Sequence, residues 1–389
     1  MSKDEKTAGK FYEFFAGGGM ARAALGSSWT CLFANEIDDK KAAVYVQNWG
    51  AKEIQIKDVG RLSIGDLPGN ADLAWASFPC QDLSLAGNGA GLEGTRSGAF
   101  WPFWRLMNAL ECAGRAPSLI VLENVCGALT SHGGKDFAAL SSALASGGYR
   151  FGALVIDAVN FVPQSRARLF MVAVKSSIAL PPCLVRDFPD PQWTPCGLIQ
   201  AHGKLSDELR ERWLWWHLGP PPPRTIVLSD LIEDDPQGVR WHTEAETKRI
   251  LDMMSSLNLK KVNQARKLGK KIIGTIYKRT RPDETGRRVQ RAEIRFDNIA
   301  GCLRTPVGGS SRQVVMFVER ERVRSRLLSP REAARLMGLP DTYKLPHNYN
   351  EAYHLAGDGL VVPAVRHLAK HILGPVLAAA RWEHAASAA

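Results

Sequence analysis

A thiol, several strand-end carboxylates and two arginines are the groups in this 389-residue chain whose placement could do chemistry. Cys80 closes the run Ser77-Phe78-Pro79-Cys80, with Gln81 next, after the apolar segment 71–76. That segment reads as a buried strand. Pro79 fixes its own φ and pushes Phe78 toward an extended conformation, so the thiol is presented where a rigid strand gives way to the polar, Gly-rich run 82–98. Such a position suits a nucleophile that a loop can cover. By itself the pentapeptide favours a buried, inert cysteine, and the rest of the chain reverses that reading. Glu123 follows the apolar run Ser118-Leu119-Ile120-Val121-Leu122. A carboxylate there should be partly desolvated and its pKa raised, making it a candidate acid near neutral pH; a structural carboxylate would look the same. In Gln164-Ser165-Arg166-Ala167-Arg168 alternation places Gln164, Arg166 and Arg168 on one face of an extended segment, which suits an anionic or polar substrate.

The elements that must position these groups read as an α/β architecture. Residues 10–15 form a strand, Ala16-Gly17-Gly18-Gly19 a tight turn, and 20–25 a short helix. The turn lets backbone approach a ligand closely, although it lacks the full G-x-G-x-x-G pattern. The next strand, 30–34, ends in Asn35-Glu36, and Glu36 lies about 20 residues past the turn, the spacing of a ribose-binding carboxylate. Asp58 precedes Val59 at a third strand end. Together they imply a pocket along the carboxyl edge of a parallel sheet. A helix over 97–111, a helix over 136–146 and strands over 149–158 and 169–174 complete the first part. A capping box, Ser329 with Glu332 and Pro330 at the first position, starts a helix that stops at Gly338. His367 and His371 read as solvent-face residues, not metal ligands, and no metal site is expected.

Composition narrows the function. The chain holds no continuous run of 18 apolar residues and its first ten residues are polar, so neither a membrane span nor a secretory signal is expected. Its seven cysteines are scattered without a C-x-x-C pair, which suits a reducing cytoplasm. The net charge is +11, and between Lys260 and Arg295 thirteen Lys or Arg face only Asp283, Glu284 and Glu293. That block holds most of the excess and points to a polyanion, most often nucleic acid. The prolines from Pro181 onward mark a domain boundary near Leu180. The Gly-rich stretch 303–312, with Arg304 and Arg312, suits a phosphate backbone.

On these residues the chain resembles the C5-cytosine DNA methyltransferases of bacterial type, over most of its first 175 residues and roughly its last 65. The resemblance is carried by Phe14-Phe15-Ala16-Gly17-Gly18-Gly19, Asn35-Glu36-Ile37-Asp38, Phe78-Pro79-Cys80-Gln81, Glu123-Asn124-Val125, Gln164 to Arg168, Leu327 to Tyr343 and Gly357 to Val362, in the family's order. It implies a Rossmann-like, doubly wound S-adenosylmethionine-dependent domain over 1–179, completed by 350–389. A smaller target-recognition domain would span 180–349, including the motif at 327–343. It implies S-adenosylmethionine as cofactor, held by Phe15, Ala16, Gly17, Gly19, Glu36, Ile37, Asp58, Val59, Pro79 and Asp358, and S-adenosylhomocysteine as product. Cys80 would attack carbon 6 of a flipped cytosine and Glu123 would hold or protonate N3. Arg166 would hold the base or its phosphate and favour the thiolate, with Arg168 beside it. Gln81, Ser84, Asn124, Gln164, Arg304 and Arg312 would meet duplex DNA, and the 82–98 loop would close over it. The expected setting is a cytoplasmic, nucleoid-associated enzyme, monomeric on DNA, with or without a cognate restriction endonuclease. Asp358 stands where the family usually has Asn, and Ile37 where Trp is common. A tRNA cytosine methyltransferase of the same superfamily and a non-catalytic DNA-binding homologue are the rival readings; the basic region favours duplex DNA over tRNA, and the joint presence of Cys80, Glu123, Arg166 and Arg168 argues against the latter.

Overall fold

The computed structural model describes residues 8–79, 97–282, 285–305 and 312–388. They fall into two compact units: the first comprises 8–157, 167–221 and 362–388, the second 158–166 and 222–361.

The first unit is built on a seven-stranded sheet, in the order β3-β2-β1-β4-β5-β7-β6. The strands are β1 (Gly9–Phe14), β2 (Trp29–Glu36), β3 (Ile54–Ile56), β4 (Leu73–Ala76), β5 (Leu119–Val125), β6 (Tyr149–Asp157) and β7 (Ala167–Lys175). From β3 to β5 all pairings are parallel; β7 runs antiparallel to both β5 and β6. The sheet is therefore parallel over the half that carries the first four motifs, and mixed at the far edge. Its central strands are apolar on both faces, as parallel strands covered by helices require: Leu73, Ala74, Trp75 and Ala76 are all fully buried. Between the strands run α1 (Met20–Leu25), α2 (Asp39–Trp49), α3 (Phe100–Cys112) and α4 (Lys135–Ser146). Phe100, Phe103 and Trp104 of α3 pack with Phe14, Phe33 and Phe78 in one core that lies beneath the strand ends. Asp38 caps α2 by accepting from the N–H groups of Lys40 and Lys41.

The division between the units falls at Pro221, not at the composition break near Leu180. Residues 180–221 pack onto the sheet of the first unit. Gly152 of β6 is the reason they can come so close: a Cβ there would sit 1.9 Å from the Leu214 carbonyl oxygen. Phe151 N–H donates to Arg212 O at 3.0 Å, and Val155 N–H to Trp193 O at 2.8 Å. Trp216 Nε1 donates to Val172 O at 3.1 Å, and Trp193 Nε1 to Leu218 O at 2.6 Å. Short strands β8 (Val185–Arg186) and β9 (Trp215–Trp216) pair within this segment. The tryptophans 193, 213 and 216 are thus core residues. His367 is buried too, bonded through Nε2 to Gly219 O at 2.8 Å, which corrects its expected solvent exposure; burial lowers its pKa.

The second unit holds a four-stranded antiparallel sheet ordered β11-β10-β12-β13, from β10 (Ile272–Pro282), β11 (Arg288–Arg295), β12 (Val314–Glu319) and β13 (Arg322–Leu327). Helices Glu244–Asp252 and Ser256–Lys267 cover one face through Ile250, Val262 and Ala265 against Ile276, Ile294 and Met316. The expected capping box at Ser329 and Glu332 is present. Glu332 also forms a fully buried, bidentate pair with Arg326, whose second nitrogen reaches Glu233 O. Across Tyr349–Trp382 one 18-residue window reaches a mean hydropathy of 1.2, long and apolar enough to cross a membrane, yet 67% of it is buried inside the protein. That burial is the mark of a core helix.

Candidate active site

The nucleotide-facing half of the site grows from β1 and β2. After β1 the chain turns through Phe15, which adopts φ 58°, and Gly17 and Gly19 at φ 55° and 79°. A half-buried aromatic residue at positive φ is costly, and the surrounding contacts over-determine it. Ala16 N–H donates to Asn35 O at 2.8 Å, Gly17 N–H to Glu36 Oε2 at 2.7 Å, and Trp49 Nε1 closes from behind onto Gly18 O at 3.0 Å. Gly19 is required by that closure, since a Cβ would meet the Trp49 indole at 2.4 Å. Glu36 is buried. Its other oxygen accepts from Ile37 and Asp38 N–H at 2.8 and 2.9 Å, so its carboxylate organises the turn and is not a helix cap. Ile37 is 63% exposed beside it. Asp58 is exposed and its Oδ1 accepts from Gly60 N–H at 2.7 Å; Val59 next to it is buried. An exposed aliphatic surface, an exposed carboxylate and a turn with open space over Gly17 fit a nucleoside cofactor.

Below this turn sits a group that sequence reading passed over. Glu13 of β1 is buried among core residues, its Oε1 3.4 Å from Arg22 N–H. Burial pushes its carboxyl up to about 8, against the smaller opposing effect of Arg22.

The acid half of the site lies on β5 and β7. Glu123 is paired in register with Phe170 and is 8% exposed. Arg168 Nε stands 3.4 Å from its Oε1. The sheet thus supplies Glu123 with a cation from the neighbouring strand, a pairing that alternation within the Gln164–Arg168 segment could not show. Asn124, buried, donates through Nδ2 to Phe78 O at 3.4 Å and accepts from Val125 N–H at 2.8 Å. It ties the acid's strand to the segment leading to Pro79, which is exposed. Cys80, Gln81, Ser84 and the 82–96 part of the loop lie outside the described residues.

The other expected site residues belong to the second unit. Gln164 is wholly buried, its Nε2 donating to Leu336 O at 2.8 Å and its Oε1 accepting from Leu303 N–H at 3.1 Å. Arg166 is 3% exposed. Its Nη1 donates to Leu303 O at 2.9 Å, and its Nη2 to Gly357 O and Gly359 O at 2.9 and 2.7 Å. In place of three polar groups aligned for substrate, the structure has two braces committed to backbone, with sulfur contacts to Met337 and Cys302, and one arginine, Arg168, on a carboxylate. Gly357 lies so close to the 304–305 backbone that a Cβ would meet Thr305 N at 2.9 Å. Thr305 Oγ1 donates to the Asp358 carboxylate. Arg304 is exposed. Arg312 stacks over the Tyr349 ring, 5.5 Å from its centroid, and donates to Asn350. Thr305 and the tyrosines at 349 and 353 had no signature in the sequence, because Asp358, Arg312 and Gln313, which they meet in turn, lie more than 35 residues away.

A parallel α/β sheet with a glycine turn, a nucleoside-type carboxylate and a buried acid at its strand ends defines a cofactor-dependent transferase core. The chain matches the family model for C-5 cytosine-specific DNA methylases over residues 9–374 and belongs to that family; it is a DNA (cytosine-5-)-methyltransferase. It is 25% identical over 375 residues to the Type II methyltransferase M.HhaI of Haemophilus parahaemolyticus, across 95% of this chain and 96% of that one. It is 25% identical over 367 residues to the Type II methyltransferase M.NlaX of Neisseria lactamica, across 93% and 96%. In fold it resembles the Dnmt2 methyltransferase of S. pombe, with TM-score 0.60 and 17% identity over 94% of this chain and 99% of that one.

Proposed function

We propose that the chain transfers a methyl group from S-adenosylmethionine to carbon 5 of a cytosine flipped out of duplex DNA, through a covalent adduct with Cys80. The observation that carries this reading is the placement of Glu123: a buried carboxyl, charge-paired with Arg168, on a strand tied by Asn124 to the segment that ends at Cys80. Attack on a pyrimidine ring needs a nucleophile and an acid together. The Cys80 thiolate adds to carbon 6 while Glu123 gives or shares a proton at N3, so charge does not accumulate on the base. The electron-rich carbon 5 then takes the methyl group, which the sulfonium cofactor supplies. Loss of the carbon-5 proton to water and elimination of the thiolate restore the aromatic ring and free Cys80.

Glu36, Phe15, Ile37 and Asp58 hold the cofactor's ribose and adenine, with Ala16, Gly17, Gly19, Val59 and Pro79 shaping the cleft. Ile37 gives adenine an aliphatic wall where an indole would stack. Arg168 holds Glu123 in place. Arg166 and Gln164 act as positioning residues for the 302–304 and 357–359 segments. The second unit, with Arg304 and Arg312, serves target recognition, and Type II methyltransferase relatives favour a role beside a restriction endonuclease.

The test is incorporation of labelled methyl groups into duplex DNA and into tRNA, followed by bisulfite sequencing of modified DNA. Duplex DNA is expected to be labelled at cytosine within one sequence context. Cys80→Ser should reduce transfer to background while duplex binding persists. Full turnover by that variant would sink the covalent mechanism, and labelling of tRNA alone would sink the assigned substrate.

A further inference from the structure

Part of the basic block of the second unit stands on the helix Ser256–Lys267, and part is built into a projecting ribbon. Strand β10 pairs with β12 only through Ile272–Ile276, whereas its pairing with β11 continues to Pro282 opposite Arg288. Residues 277–282 and 288–293 therefore form two strands that run beyond the rest of the sheet. Along them Arg279 lies directly opposite Arg291, and Arg281 opposite Val289. Pairing puts Arg279, Arg281 and Arg291 on one face, and Arg287 and Arg288 are exposed nearer the turn. Like charges directly opposite one another destabilise a two-stranded pair. Glu293 relieves part of this: Arg281 Nε is 2.8 Å and Arg279 Nε 3.5 Å from its oxygens. One carboxylate shared by two exposed guanidiniums holds each weakly, so both can be redirected.

Beside the ribbon opens a cleft of about 830 Å³, lined by Lys261, Lys278, Arg279, Arg295 and Arg304, with Glu293 the only carboxylate on its wall among the described residues. Arg279 thus belongs both to the ribbon face and to a cationic trough. A duplex major groove admits a two-stranded ribbon, and a row of arginines matches the regular charge of a phosphate backbone.

We propose that this overhanging ribbon is an arm that grips the phosphate backbone of duplex DNA outside the target base pair, with Arg279, Arg281 and Arg291 as its contacts and Arg304 and Lys261 continuing the track. The inference rests on the reading that the chain methylates DNA. It adds that affinity is held by an element separate from the residues that meet the flipped base. Glu293 releases Arg279 and Arg281 to phosphates as the arm engages.

The experiment compares wild-type protein with a variant carrying Arg279→Gln, Arg281→Gln and Arg291→Gln. A control of equal net charge carries Lys204→Gln, Arg210→Gln and Lys248→Gln. Each is titrated onto a fluorescein-labelled random-sequence duplex, and onto tRNA, at several salt concentrations. The ribbon variant should bind the duplex at least about 10-fold more weakly, and its log-affinity slope against log salt should flatten by about 0.9 for each lost contact. The control should keep the wild-type slope, and unchanged S-adenosylmethionine binding reports that the first unit stays intact. If the triple variant fails to fold, the three single variants carry the test, each flattening the slope by about one. A ribbon variant that binds and responds to salt like the control overturns the proposal, as does loss of tRNA binding with duplex binding unchanged. Methyl transfer to duplex DNA by the wild type, measured in parallel, separates the two readings: transfer with an unaffected ribbon variant sinks only the arm, while absence of transfer sinks the assigned function.

Discussion

The strand edge that carries Glu36 and Glu123 buries its charges, whereas the ribbon of the second unit exposes them. Glu36 is satisfied by three backbone N–H groups and Glu123 by an arginine on the adjacent strand. Arg279 and Arg281 share one partly exposed carboxylate, and Arg279 faces a like charge, Arg291, across the ladder. A buried, fully bonded carboxylate is fixed in place before any substrate arrives, as a group that must meet one ring atom requires. An exposed guanidinium can follow a backbone whose position varies with sequence. On the proposed function, the contrast gives chemistry to a preorganised acid and affinity to adaptable cations.

Removing the acid should break this contrast most sharply. Glu123→Gln keeps the shape but cannot give a proton, so kcat should fall by about 10² to 10⁴-fold with cofactor affinity nearly unchanged, measured by steady-state methyl transfer. An equal loss of cofactor affinity would mean that the strand edge is structural. Next comes Arg166→Ala, which strands three carbonyl groups inside the second unit. It should lower that unit's stability by about 3–5 kcal/mol, read by hydrogen exchange at 302–304 and 357–359, and Arg166→Lys should recover only part. Retained protection would show that Arg166 is free for substrate after all.

The smallest expected effect concerns Glu13, and its sign follows from burial. Its folded pKa of about 8 lies above the 4.5 of an unhindered glutamate. Below about pH 4.5 both folded and unfolded chains carry the proton and nothing is lost. As pH rises toward 8, the unfolded chain ionises first and folding stability declines. Denaturant titrations across that window should show the decline in the wild type and its absence in Glu13→Gln. Parallel pH profiles for the two would place Glu13 in contact with a compensating cation.

The parallel sheet and its strand-end carboxylates were legible because each depends on local pattern: apolar runs of four to seven residues, a glycine turn, an acid at a fixed remove. The capping box at Ser329 was legible for the same reason. What alternation missed was the fate of Gln164 and Arg166. Period two correctly separates faces within a strand, but Arg168 lies in β7, and the residues before it are drawn to carbonyls at 303, 336, 357 and 359. No local pattern reports an acceptor that is bare backbone far along the chain. The segment 180–221 misled for a related reason. Its prolines signal irregular structure, and irregular structure can still pack against a sheet when a glycine such as Gly152 lets it approach.

Three acceptors of Arg166 are peptide carbonyls, and a carbonyl is the same whatever side chain follows it; Nη1 also reaches the Cys302 sulfur at 3.4 Å. Through those carbonyls the tether is blind to the side chains at 303 and 359, while the sulfur at 302 and the glycine needed at 357 are specified. A chain anchored this way can exchange the exposed side chain at 304 over generations without redesigning its anchor.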